Sequence, residues 1–333
     1  MSPFDVCAPS PVTKTFYFPS ADGISQVRAK SWEPAGSDCG AVRGVIQVVH
    51  GMSEHIDRYQ SFAANMVQMG YAVVGHDHIG HGKTAAQEAD LGHIPLSAGK
   101  EAMIADIHKL REYVGGHYGA QAPYILFGHS MGSFLVRTYL ARHPHAVNAA
   151  VICGTGQQPA ALSAGGNMLA RLLCAVKGER FRSSFLDNMG AGSYAKGIPN
   201  ARTKFDWLAT DPAVVDAYFA DPLAGFMFTV AGYAALTSLT AEMVKPACAQ
   251  AVPKDLPLLF IAGEEDPVGD CGRGVRAAAQ QYRNAGCACV EEILYSGMRH
   301  EILNEPIRQQ ACEDVLTWLE GAGLHSEPAR KEL

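Results

Sequence analysis

Residues 128–132 read Gly-His-Ser-Met-Gly, a G-x-S-x-G pentad that closes the apolar run Ile125-Leu-Phe. Glycines two before and two after a serine suit a turn too sharp to admit side chains on either flank. Tyr124–Phe127 has the character of a short buried strand. Met131–His143 carries helical apolar spacing and stops before Pro144. Strand, tight turn and helix with serine at the apex is the setting in which a hydroxyl becomes an acyl-transfer nucleophile.

A serine hydroxyl is a poor nucleophile at neutral pH and needs a base, which in turn needs an acid to orient it. Strand–turn–helix nucleophiles of this type meet their partners in the chain order Ser, Asp/Glu, His. Two histidines follow the candidate acid region, and His325 sits in a polar tail. His300, just after the expected strand Val290–Tyr295, is therefore the candidate base. For the acid, the apolar run Leu258–Ala262 ends in Gly263-Glu-Glu-Asp-Pro267. Asp266 is preferred because the Asp-Pro step holds a turn, with Glu264, Glu265 and Asp270 as rivals. A tetrahedral oxyanion needs two N–H donors. Met131, which follows the serine, offers one, and Met52 in His50-Gly-Met-Ser-Glu-His55 offers the other. His50 is read as a structural loop residue.

His76-Asp-His-Ile-Gly-His81 competes as a metal cluster, since imidazoles and a carboxylate at short spacing bind zinc. No second cluster completes a ligand set, so no metal and no cofactor is expected. With 333 residues, 48% hydrophobic and 18% charged, the chain suits an ordinary globular protein. A net charge of −6 without basic runs argues against nucleic-acid binding. Nine scattered cysteines without C-x-x-C, and a start at Met1–Cys7 lacking signal-peptide character, lead us to expect a cytoplasmic location with reduced thiols. No apolar stretch approaches the ~20 residues that span a bilayer.

Around these residues the pattern predicts an α/β fold. An antiparallel hairpin turns at Asp22-Gly23, within 12–33. Continuous apolar runs at 45–49, 72–74, 125–127, 149–152 and 258–262 mark strands buried on both faces. Helical patterns near 59–69, 99–117, 132–143, 273–285 and 306–320 separate them, giving a mostly parallel sheet flanked by helices. From 156 to 252 no strand pattern appears, while Asn167–Val176, Val214–Ala220 and Phe226–Leu239 look helical. This division assigns 12–155 and 253–321 to the core and 156–252 to an inserted helical lid at the sheet's carboxyl edge. The tail 326–333 is expected to fray.

Taken together, His50-Gly-Met-Ser-Glu-His with Arg58-Tyr59, Gly75-His-Asp-His-Ile-Gly-His-Gly82, Gly128–Gly132, Gly263–Pro267 and Arg299-His-Glu-Ile-Leu-Asn-Glu305 resemble the monoacylglycerol lipase/lysophospholipase branch of the α/β-hydrolases, grouped with serine aminopeptidases. The resemblance spans about 13–320 apart from the lid. It implies Ser130, Asp266 and His300 as triad, Met52 and Met131 as oxyanion donors, and a structural role for His76–Gly82. A serine ester hydrolase acting on a small-molecule ester or lipid is the expected function, with at most transient membrane-surface contact. The alternatives are a carboxylesterase for small esters, an aminopeptidase, a perhydrolase, and a silent binding protein on the same scaffold. Two lid stripes suggest apolar substrate contacts: Met168, Leu169, Leu172 and Leu173, then Phe226, Phe228, Tyr233 and Leu236. Leu172, Phe226, Phe228 and Tyr233 are the candidates, the alternative being that both stripes form the lid's own core. Lys177, Arg180 and Arg182 are either a head-group site or a solvated basic face.

Overall fold

A computed structural model describes residues 10–35, 42–118 and 122–325. The N-terminal stretch, including Cys7, and the tail 326–333 lie outside them, as does Cys39. Eight strands form one sheet in the order β1-β2-β4-β3-β5-β6-β7-β8. They are β1 (Val12–Pro19), β2 (Gln26–Glu33), β3 (Gly44–Val49), β4 (Tyr71–His76), β5 (Tyr124–His129), β6 (Ala149–Cys153), β7 (Leu258–Gly263) and β8 (Val290–Tyr295). β2 pairs antiparallel with both β1 and β4, and the remaining pairs are parallel.

The central strands are buried along their whole length because both faces are covered. Period-two alternation then divides each strand between two cores. Ile46, Val48, Ile125, Phe127, Leu259 and Ile261 face α1 (Gln60–Gln68) and α10 (Arg308–Gly321). Val45, Val49, Leu126, Leu258 and Phe260 face α2 (Gly99–Gly115), α3 (Met131–Arg142) and α9 (Arg273–Asn284). Fully burying one such aliphatic side chain contributes about 1.5–3 kcal/mol. Gln47, the polar exception in β3, is satisfied: Tyr124 Oη donates to its Oε1 at 2.6 Å and its Nε2 donates to the Ile107 carbonyl at 3.1 Å.

Between β6 and β7 the described chain holds helices and turns but no strand: α4 (Ala160–Lys177), α5 (Ser184–Asn188), α6 (Pro212–Ala220), α7 (Val230–Met243) and α8 (Pro246–Gln250). α4 packs along α7, and α7 reaches α2 and α3. The Phe226 stretch enters its helix later than its apolar spacing suggests. Thr229 caps α7, its side chain accepting from the Gly232 amide at 3.2 Å, so 226–228 remain extended chain.

Two residues expected to contact substrate fall elsewhere. Leu169 and Leu173 pack inward, so the 100° step of the helix carries Leu172, with Met168 and Val176, to the outer face; Leu172 is 58% exposed. Phe228 is fully buried instead, edge-on to His81 and against Tyr233, as core. Among the described residues no helix is long and apolar enough to cross a membrane.

Candidate active site

β5 delivers Ser130 into a strained backbone, φ 55° and ψ −122°, before α3 begins at Met131. The turn explains its glycines. A Cβ at Gly128 would sit 2.6 Å from the Gly132 carbonyl, and one at Gly132 would overlap the Val49 carbonyl. On the facing loop, a Cβ at Gly51 would meet Ser130 Cβ at 2.9 Å. The Ser130 amide donates to the Cys153 carbonyl at 3.0 Å, anchoring the turn to β6.

His300 follows β8 and meets Asp266, which follows β7. The His300 Nδ1 to Asp266 Oδ2 distance is 2.8 Å, and both residues are buried. The Val268 amide donates to Asp266 Oδ1 at 2.9 Å, holding the carboxylate. The rival carboxylates point elsewhere: Asp270 is exposed and paired with Arg273, and Glu264 pairs with Arg276. Glu265 lies beside them with its amide on the Met298 carbonyl. Trp207 packs on the His300 ring at 5.0 Å between centroids, and a Cβ at Gly154 would come within 3.1 Å of His300 Cε1.

Met52, from the loop after β3, and Met131 line the same cavity as Ser130 and His300. His50 sets the orientation of that loop. Its Nδ1–H donates to the Gly51 carbonyl at 2.8 Å, while its Nε2 accepts from the His78 amide at 3.0 Å. Because the peptide is planar and trans, a Gly51 carbonyl drawn toward His50 turns the Met52 N–H the opposite way. The same bonds engage part of the histidine segment, leaving both His76 ring nitrogens, His78 Nδ1 and His81 Nε2 buried without a hydrogen-bond partner among the described residues. His78 Nε2 donates to the His50 carbonyl and His81 Nδ1 to the Ile79 carbonyl, while Asp77 accepts from Arg28 and the Ile56 and Lys83 amides. Burial pushes the His76 and His81 imidazoles down to about 3 and about 4, so they stay neutral. Among the described residues no group of three or more His, Cys, Asp or Glu side chains is arranged to hold a metal ion.

The cavity has a volume of about 430 Å³ and extends from Ser130 between α4, α5 and α7. Phe226 and Tyr233 line it, with Leu162, Leu186, Met189 and Leu236. Tyr233 also donates to Asp187 Oδ1 at 2.6 Å. Arg182 reaches the backbone carbonyls of Leu91 and Met227, and Arg180 pairs with Asp90. Both are thus engaged at the surface near 89–91. The stretch Arg299–Glu305 was visible as a motif, but its spacing gave no sign of how its residues steady the loop that carries His300. Arg299 donates to the Asp206 and Ala209 carbonyls, the Glu301 amide donates to the Leu208 carbonyl, and Glu305 accepts from the Arg299 and Thr210 amides.

The sheet order and the serine turn define the α/β-hydrolase fold. The model of the serine aminopeptidase S33 family matches residues 40–307, and the chain belongs to that family. Within it the protein is a hydrolase of the monoacylglycerol-lipase-like branch. It is 31% identical to a monoacylglycerol lipase of Mycolicibacterium smegmatis over 287 residues, 83% of this chain and 88% of that protein. It superposes on a thermostable carboxyl esterase of Bacillus coagulans, solved with glycerol, at a TM-score of 0.85. The identity is 31%, covering 93% of this chain and 99% of the esterase. A monoglyceride lipase of Saccharomyces cerevisiae, 17% identical, shares the fold at a TM-score of 0.71, over 97% of this chain and 99% of the yeast one.

Proposed function

We propose that the protein is a serine ester hydrolase cleaving carboxylic esters of lipid-like alcohols, monoacylglycerols or lysophospholipids, through an acyl-enzyme on Ser130. The observation that carries this reading is the apolar-walled cavity running from Ser130 beneath α4 and α7. In this mechanism Ser130 Oγ attacks the ester carbonyl while His300 Nε2 takes its proton and Asp266 holds the opposite ring nitrogen. The oxyanion lies against the Met52 and Met131 amides. Collapse expels the alcohol, which receives the proton from His300. Water, activated by the same imidazole, then releases the acid and restores Ser130. The segment 156–252 acts as the lid that roofs the acyl site.

Acyl-chain length tests the substrate. At ~0.8 kcal/mol per buried methylene, kcat/KM is expected to rise about fourfold per CH₂ until the cavity is full, then fall. Phe226→Ser should penalise long-chain esters more than acetates. Leu172→Ser, on the outer face, should leave the profile unchanged, with thermal melts confirming both variants fold. A flat profile from acetate upward would replace the lipid reading with a small-ester carboxylesterase.

A further inference from the structure

Beside the Ser130 turn lies a buried group of charged side chains with no part in the acyl-transfer steps above, Glu54, Arg58, His129 and Glu301, of which Glu54, His129 and Glu301 reach the wall of the same cavity. Arg58 holds both oxygens of Glu301 at 2.6 and 2.7 Å and reaches Glu54 Oε2 at 3.1 Å. Glu54 Oε1 accepts from the Gly51 amide at 2.5 Å and from Tyr59 Oη at 2.9 Å. His129 completes the group. Its Nδ1 is 3.2 Å from Glu54 Oε1, and its Nε2 is 3.3 Å from the His300 carbonyl oxygen.

Both partners of that ring are acceptors without a proton to give. A neutral imidazole carries a single N–H, so it satisfies one partner and sets a lone pair against the other. The imidazolium donates to both. Charge balance argues the same way. Arg58 brings one positive charge to two buried carboxylates, and a second positive charge on His129 neutralises the group. We propose that His129 is a standing imidazolium and a positioning residue, pinning the carbonyl of His300 and hence the turn that presents the His300 ring. The positioning role rests on the reading of Ser130, Asp266 and His300 as the reacting group.

The surroundings sustain the charge. Burial alone would drive His129 downward, but the hydrogen bond and charge of Glu54, with Glu301 behind it, hold it above the ordinary histidine range. Glu54 in turn is held well below the carboxylate range by His129 and Arg58, and Glu301 is lowered chiefly by Arg58. Of the other titratable groups facing the ring, Tyr59 and Cys153 are pushed up by burial and stay neutral. His300 lies 4.7 Å away between ring centroids, with Asp266 beyond it. One carboxylate oxygen thereby ties the Gly51–Met52 loop to the residue preceding Ser130, and the imidazolium extends the tie to the base loop.

Nitrogen-edited NMR of the ¹⁵N-labelled wild-type protein reads the charge directly. Both ring nitrogens of His129, assigned by His129→Gln, are expected to be protonated at neutral pH. A single protonated nitrogen at neutral pH overturns the proposal. Glu54→Gln should abolish the doubly protonated signal at neutral pH, which keeps the test decisive should His129→Gln fail to fold. Kinetically, His129→Gln should lower kcat by about 10²-fold, as for a reacting group displaced by an ångström. KM should hold and the alkaline limb that reports loss of the His129 proton should vanish. An equal loss in kcat and KM with an unchanged pH profile would reject the positioning role. The NMR result is independent of which residue is the nucleophile. Undiminished fluorophosphonate labelling of Ser130→Ala would instead sink the underlying catalytic reading.

Discussion

Ser130→Ala is expected to reduce turnover of a p-nitrophenyl ester by about 10⁶-fold and to abolish fluorophosphonate labelling. The size of the effect follows from the division of labour in acyl transfer. The base and the oxyanion donors act only on a tetrahedral centre that the hydroxyl creates, so deleting the nucleophile idles the rest. Residual rate should come only from substrate binding and the two amides. The fold should survive, because the Ser130 side chain makes no cap bond to α3 and alanine tolerates φ 55° no worse than serine does. Circular dichroism melts would show this. Labelling that persists in the mutant would place the nucleophile elsewhere.

Asp266→Asn is expected to cost about 10⁴-fold in kcat while barely changing the melting temperature. Asp266 is wholly buried, with Oδ2 on His300 and Oδ1 accepting from the Val268 amide. An asparagine keeps one acceptor oxygen for Val268. It then turns an NH₂ toward His300 Nδ1, which favours the tautomer with its proton on Nε2 and disables the base. Asp270→Asn, at an exposed position paired with Arg273, should leave kcat within about twofold of wild type, a surface ion pair being worth little. Steady-state kinetics on the two variants decide the matter. A severe Asp270→Asn beside a mild Asp266→Asn would reverse the acid assignment.

Strand positions were open to sequence reading because β3, β5 and β7 are, Gln47 apart, almost wholly apolar on both faces and bounded by turns, leaving little else for them to be. The serine turn was equally legible, its glycines being demanded by backbone overlap within five residues. The proposed acid was less so. Four carboxylates fall between Glu264 and Asp270, and what singles out Asp266 is the direction of its side chain across the strand ends. Helical stripes in 156–252 misled for a related reason. Periodicity reports that one face of α4 is apolar, yet it is silent on whether a neighbouring helix, a cavity or solvent lies opposite, and Leu172 met solvent. Phe228 met packed protein. Glu54, Arg58, His129 and Glu301 each stood within a motif quoted for the resemblance, but nothing local showed that they meet, since Arg58 and Glu301 are 243 positions apart.

The backbone at residue 130 also bears on heat tolerance. A non-glycine residue at φ 55°, ψ −122° carries strain of about 1–3 kcal/mol, borne by the whole fold. Glycine would relieve it, at roughly 0.5–1 kcal/mol of added unfolded-chain entropy. Ser130→Gly should therefore melt at or above the wild-type temperature while, on the proposed mechanism, losing turnover as Ser130→Ala does. A population of variants selected on thermal endurance alone would drift toward the dead enzyme, so any screen for a hardier form of this hydrolase has to score turnover in the same step.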